Sequence, residues 1–138
     1  MTPEGKAQLK LDEGKRLKPY RCSAGKLTIG YGRNLDANGI SQDEAEFMLD
    51  NDIADAENAC LHAFPWFSEL SDTRKDAIVN MCFNLGLTKL LEFKKFLKAM
   101  AMGAYETAAH EAMDSDWAEQ VGDRAKRLAT AIRGPEQV

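Results

Sequence analysis

Three side chains near the N-terminus are of types that could do chemistry: the acid Glu13, the thiol Cys22 and the hydroxyl of Thr28, within a segment that reads as turn and short strands. A carboxyl group can deliver a proton, a thiol can serve as base, nucleophile or polar anchor, and a threonine hydroxyl can orient a water. Residues 3–13 read as a helix, with Pro3 suited to its first turn and Gly14 to the position just past its end. Glu13 then falls in the last turn, where the helix dipole disfavours a second negative charge and favours the protonated form a general acid needs. On composition alone, a surface glutamate paired with Lys10 or Arg16 is the plainer reading. A thiol with a reference pKa of about 8.5 is a poor base at neutral pH. A neighbouring Glu13 carboxylate would raise that value, and Arg21 or Arg33 would lower it. Cys22 is left with three roles: a thiolate base for water, a thiolate nucleophile, or a polar group holding water that Thr28 orients. Water activation or positioning by Cys22 with Thr28 is favoured, because a five-residue offset across a hairpin brings both to one wall.

The elements that must position these residues change character along the chain. From Leu17 to Asn38 the helical period is lost. Gly25, Gly30, Gly32 and Gly39 punctuate the stretch, and Tyr20, Leu27, Ile29, Tyr31 and Leu35 alternate with a period near two. The pattern predicts short antiparallel strands near 19–22, 26–30 and 33–36, with a turn at Ser23-Ala24-Gly25. Such a sheet must pack on a helix to be stable. Ser41 and Glu44 form a capping box ahead of a helix over about 42–61, whose apolar stripe is Ala45, Met48, Leu49, Ile53, Ala56 and Cys60. This long helix is expected to join the sheet to the helical remainder, with Phe64, Trp66 and Phe67 plugging the core.

The rest reads as consecutive helices. Ser71 caps one that ends at Gly86, with Ala77, Ile78, Met81, Cys82 and Leu85 inward. Others follow over about 88–102 and 104–114, then a short one holding Trp117. A last helix over 124–133 is capped by Asp123 and closed by Gly134-Pro135. The predicted class is α+β, mainly α, with one small three-stranded antiparallel sheet.

A chain of 138 residues fits one domain, or two lobes sharing a helix. No apolar run approaches the roughly 18 residues that span a bilayer, and the N-terminus lacks the apolar core of a signal peptide. The expectation is a protein made in the cytoplasm that stays there until released. Cys22, Cys60 and Cys82 are too few and too irregular for a disulfide framework or a CxxC pair. With His62 and His110 as the only imidazoles, neither a metal nor another cofactor is expected. Cys60 and Cys82 read as small buried hydrophobes. Net charge is −4, unevenly spread. Residues 1–40 carry eight Lys/Arg against four Asp/Glu, and residues 41–60 carry seven acids and no base. An acidic chain without a basic stripe argues against a nucleic-acid partner. The basic N-terminal part suits an anionic polymer or is simply a solvated surface.

The block Asp12-Glu13-Gly14, Arg16-Leu17-Lys18, Tyr20, Gly25 and Thr28-Ile29-Gly30-Tyr31-Gly32 resembles the phage lysozymes (endolysins) of glycoside hydrolase family 24, in a Glu-Cys-Thr variant. DEAE at 43–46, RKDAIVNMCFNLG at 74–86 and SDWAEQ with DRAKR at 115–127 resemble the family's later helices in order, so the likeness covers nearly the whole chain. It implies a bilobal fold in one lysozyme domain. The sheet lobe would span about 12–40 and the linking helix about 42–61, with a helical lobe over about 62–138 that includes the N-terminal helix and a cleft between the lobes. It also implies hydrolysis of the β-1,4 bond between N-acetylmuramic acid and N-acetylglucosamine in peptidoglycan. Glu13 would be the general acid and Thr28 would help place the attacking water. Phe83 and Asn84 would lie on the helix lining the cleft, and Arg124 would support the catalytic glutamate.

The chain departs from the best-known pattern at Cys22, where aspartate is more familiar, and at Arg33, where histidine is frequent. The segment between sheet and long helix is also short, which predicts a trimmed N-terminal lobe. The resemblance further implies a monomer released from the host cytoplasm onto periplasmic peptidoglycan through a holin. Three rivals remain: a non-catalytic glycan-binding module, a cysteine hydrolase pairing Cys22 with His62 or His110, and a lytic transglycosylase that uses the same acid without water.

Overall fold

A computed structural model describes residues 1–135 and divides the chain into two compact units, Met1–Met48 and the remainder from Leu49. Its class is the predicted one, mainly α with one three-stranded antiparallel sheet in the order β1-β2-β3. Helix α1 (Pro3–Glu13) begins where Thr2 accepts the Gly5 amide at 3.0 Å and proline takes the first turn. The Gly14 amide then closes on Lys10 O at 2.9 Å. The sheet follows as β1 (Arg16–Arg21), β2 (Leu27–Gly30) and β3 (Arg33–Asn34). Tyr20 faces Thr28, Arg21 faces Leu27, and Thr28 in turn faces Asn34.

The third strand is shorter than the predicted 33–36. Asn34 leaves the ladder to cap a helical turn, α2 (Leu35–Asn38), its Oδ1 accepting the Ala37 amide at 3.0 Å. Local side-chain capping of this kind competes with strand pairing. Asp36 on that turn accepts the Leu27 amide at 2.8 Å, which ties α2 back to β2.

Helix α3 (Gln42–Ala63) opens on the predicted capping box. Glu44 N donates to Ser41 Oγ at 3.1 Å and Ser41 N to Glu44 Oε1 at 2.8 Å. Its stripe is buried only at Ala56 and Cys60, whereas Met48 and Leu49, expected inward, are 50% and 42% exposed. Phe64 and Phe67 are buried, and Trp66 stacks on Phe64 with centroids 4.8 Å apart. Helix α4 (Asp72–Leu85) starts at Ser71, as predicted, and buries Ala77, Ile78, Val79, Met81 and Cys82.

The predicted helix 88–102 is two pieces, α5 (Leu87–Leu90) and α6 (Lys94–Ala101). Leu90 and Phe96 are both buried. Six residues apart, they would lie roughly 120° out of phase on one continuous helix, so the chain turns between them. Helices α7 (Tyr105–Met113), α8 (Asp116–Val121) and α9 (Asp123–Arg133) complete the unit. Asp123 is the first residue of α9 rather than its cap. Gly122 ends α8 and begins α9 at once, leaving no place for a side-chain cap.

The core of this unit is where α9 packs on α4, α7 and α8, with Ala108, Ala109, Ala112, Ala125 and Ala129 keeping the backbones close. Cys60 and Cys82 are the buried hydrophobes expected. Burial pushes the Cys60 thiol up to about 12, and the adjacent Cys82 sulfur adds to it.

Arg74 closes the C-terminal end of α9. Its Nε donates to Ile132 O at 2.7 Å and its Nη2 to Arg133 O at 2.9 Å, while the guanidinium lies 3.7 Å from the Tyr105 ring centroid. Arg74→Ala removes two charged hydrogen bonds and the stacked cation, and should cost about 2 kcal/mol. Arg74→Lys should recover little, because an ammonium cannot fork between two carbonyls while lying flat on a ring. Thermal unfolding of the two variants beside wild type measures both effects, and equal stability of all three would contradict this role.

Candidate active site

The first unit holds three of the expected site residues. Cys22 follows the last residue of β1, and the chain reverses between it and Lys26. Gly25 N donates to Cys22 O at 2.8 Å and Cys22 N to Lys26 O at 3.0 Å. This turn falls at Ser23-Ala24-Gly25, where the sequence placed it. It brings the half-buried Cys22 thiol next to the Thr28 hydroxyl on β2.

The thiol is held below its ordinary range. The backbone amide of Lys26 contributes most, then that of Ala24. Partial desolvation opposes them, and the Thr28 hydroxyl adds to the lowering. Neither arginine proposed from the sequence supplies the effect. Arg21 donates to Gly25 O at 3.1 Å and lies 3.9 Å from Asp36, and Arg33 is engaged by Glu44. Thr28 is 4% exposed, and its hydroxyl donates to Lys26 O at 2.8 Å. A hydroxyl has one proton. While that proton is on Lys26 O, the Thr28 oxygen can accept from water or from the neutral thiol. Turned toward sulfur, it stabilises the thiolate.

Glu13 ends α1 with an exposed side chain whose carboxyl group lies against Gly32, in the turn between β2 and β3. A groove of about 590 Å3 in the same unit is lined by Ile29, Tyr31, Arg33, Ile40, Glu44 and Phe47. None of Glu13, Cys22 and Thr28 lines it, so these three residues and that groove are separate places.

The second unit holds the other expected residues. Phe83, 44% exposed on α4, lines a groove of about 340 Å3 with Leu49, Ile53, Val79, Asn80 and Arg124. Arg124 Nε donates to Asn80 Oδ1 at 2.9 Å, so Asn80 orients the guanidinium. Asn84 Oδ1 accepts the indole N–H of buried Trp117 at 2.7 Å. Asn84 therefore carries a structural bond in addition to its exposed position on α4. His62, exposed on α3, makes a 2.7 Å bond from Nδ1 to Asn58 O within its own helix.

The sequence reading missed Asp36, Asn80 and Gly32. Asp36 and Asn80 act through contacts between residues distant in sequence. Gly32 stood in the recognised block, and its spacing from Gly30 was the available signal.

Comparison with known proteins identifies the family. The family model described as phage lysozyme matches residues 10–133, and the chain belongs to that family. The chain is 35% identical over 127 residues to an endolysin of Acyrthosiphon pisum secondary endosymbiont phage 1, covering 90% of this chain and 85% of that one. It is 29% identical over 162 residues to a probable T4-type lysozyme of Dictyostelium discoideum, covering 96% and 95%. It is also 28% identical over 152 residues to the pre-baseplate central spike protein Gp5 of Enterobacteria phage T4, covering 90% of this chain and 26% of that protein. Membership defines the class of enzyme as a lysozyme-type glycosidase.

Arg33, one of the departures from the familiar pattern, has a structural use. It pairs with Glu44 at the start of α3 and donates to Gly39 O at 3.4 Å, drawing β3, the α2 turn and α3 together. The guanidinium and the Ser41 amide hold the Glu44 carboxyl down to about 2, from an ordinary 4.5. A depressed carboxylate pKa gives stability that is present above the unfolded value and lost as pH falls toward the folded one. Unfolding midpoints measured from pH 6 to pH 2 should therefore fall below about pH 4.5 in wild type, and fall less steeply in Glu44→Gln. Parallel curves would contradict the assignment.

Proposed function

We propose that this chain is a muramidase, cleaving the β-1,4 bond between N-acetylmuramic acid and N-acetylglucosamine of bacterial peptidoglycan, and that it acts as one lysozyme domain. Glu13 is the general acid that protonates the departing glycosidic oxygen. Cys22, as thiolate, and Thr28 activate or position the attacking water. Phe83 and Asn84 contact the glycan, and Arg124 supports the acid site. The observation that supports this reading is the Cys22–Lys26 turn, closed by two backbone bonds, which sets Cys22 two residues past Tyr20, the residue that faces Thr28 across the hairpin. The backbone amides there lower the thiol from its ordinary value. A thiol so placed makes up part of its disadvantage against aspartate as a base near neutral pH.

No helix among the described residues is long and apolar enough to cross a membrane. The endolysin name of one relative supports a role in lysis of the bacterial host. We place the protein in the host cytoplasm as a monomer that reaches periplasmic peptidoglycan through a holin pore.

Mass spectrometry of muropeptides released from purified sacculi is the deciding experiment. New reducing N-acetylmuramic acid ends are expected. Anhydro sugars would identify a transglycosylase, cleaved amide bonds a cysteine hydrolase, and no release a binding module. Glu13→Gln should abolish release while leaving the circular dichroism spectrum unchanged. Cys22→Ala should lower it by roughly 100-fold, within the span usual for general acid–base groups. Cys22→Asp should keep activity and move its rise with pH toward acid. Full activity in Glu13→Gln would remove the general acid from this account, and full activity in Cys22→Ala would remove the thiol.

A further inference from the structure

The turn Gly30-Tyr31-Gly32 joins β2 to β3 and carries two glycines with left-handed backbone, φ +70° at Gly30 and +76° at Gly32. An L-residue at either position bears the same kind of strain. The two differ in what faces them. A Cβ built on Gly30 meets nothing within 4 Å. A Cβ built on Gly32 collides with a carboxyl oxygen of Glu13, and stands 3.1 Å from its Cδ and 3.6 Å from its Cβ. The whole acid side chain is thus laid across the bare Cα of Gly32. A second contact joins the same turn to the same helix, with Lys10 Nζ 5.5 Å from the Tyr31 ring centroid. Lys10 and Glu13 are three residues apart and share one face of α1.

We propose that Gly32 is a positioning residue for Glu13, a seat whose missing side chain leaves the carboxyl group the place in which it stands. The proposal rests on the reading of Glu13 as the general acid. A glutamate at an exposed helix end has several rotamers, and proton transfer needs its oxygen within hydrogen-bonding distance of the leaving group. Tyr31 and Lys10 hold the end of α1 over the turn, and Gly32 leaves the acid room to lie flat on the backbone. Any side chain at position 32 lifts the carboxyl group away from this place.

The test compares Gly32→Ala with Gly30→Ala, because the strain is shared and the collision is not. Both variants should unfold at lower temperature than wild type by similar amounts. Gly32→Ala should lower kcat about 100-fold, the scale of a displacement near 1 Å, with KM within about twofold of wild type. It should also shift the Glu13 side-chain 13C resonances. Gly30→Ala should leave kcat and those resonances near their wild-type positions. Equal losses of kcat in the two variants, or an unchanged kcat in Gly32→Ala, would overturn the seat. Should either alanine variant not fold, the wild-type protein still decides. Nuclear Overhauser contacts from the Gly32 α-protons to the Glu13 side chain are required, and their absence overturns the proposal. Full activity in Glu13→Gln would defeat the general-acid reading separately, while the resonance shifts and Overhauser contacts still judge the seat.

Discussion

The register of one hairpin brings together the residues to which the proposed chemistry is assigned. Tyr20 opposite Thr28 and Arg21 opposite Leu27 determine which faces of β1 and β2 coincide, and hence that Cys22 emerges beside Thr28. Side chains alternate along a strand, so a slip of one residue would turn Thr28 to the other face and separate the pair. The turn opposes that slip. The Cys22–Lys26 turn closes with two backbone bonds. Asp36 takes the Leu27 amide, and Thr28, the buried polar residue among those described, spends its hydroxyl proton on Lys26 O. The bond that satisfies Thr28 also orients the backbone of the turn facing the sulfur.

The thiol illustrates how a backbone can replace a charge. The arginines nearby in sequence are committed elsewhere, one to Asp36 and the Gly25 carbonyl, the other to Glu44. At an exposed site their fields would in any case be screened by salt. The Lys26 and Ala24 amides that lower the thiol are positioned by the turn itself and need no reorganisation when charge appears. Glu13 is treated likewise. A place on the turn without a side chain leaves its carboxyl group room to lie against the backbone.

Much of this was legible in the sequence because it is local. Pro3 and Gly14 bounded the first helix, the Ser41–Glu44 box opened the long one, and Ser71 began α4. The hairpin turn lay at its small residues, and the Glu13–Cys22–Thr28 spacing, with the block around it, pointed to the family. The failures came where a side chain or the core overrode the local pattern. Asn34 capped a helical turn and cut the third strand short. Leu90 and Phe96 both had to be buried, which broke one predicted helix into two. Met48 and Leu49 kept the helical period yet stayed half exposed. In the site, the amides of Ala24 and Lys26 have no side-chain signature, so sequence reasoning turned to arginines for an effect that belongs to the turn.

The central claim is that the Cys22–Lys26 turn holds the Cys22 thiol below its ordinary range. It is tested most directly by a pH titration of the wild-type protein followed by 1H–15N correlation spectroscopy. The account predicts that the Ala24 and Lys26 amide protons move downfield together, with one inflection below the ordinary thiol range, and that the movement vanishes in Cys22→Ser. Amide signals that do not respond to pH, or an inflection at or above the ordinary thiol range, would contradict it.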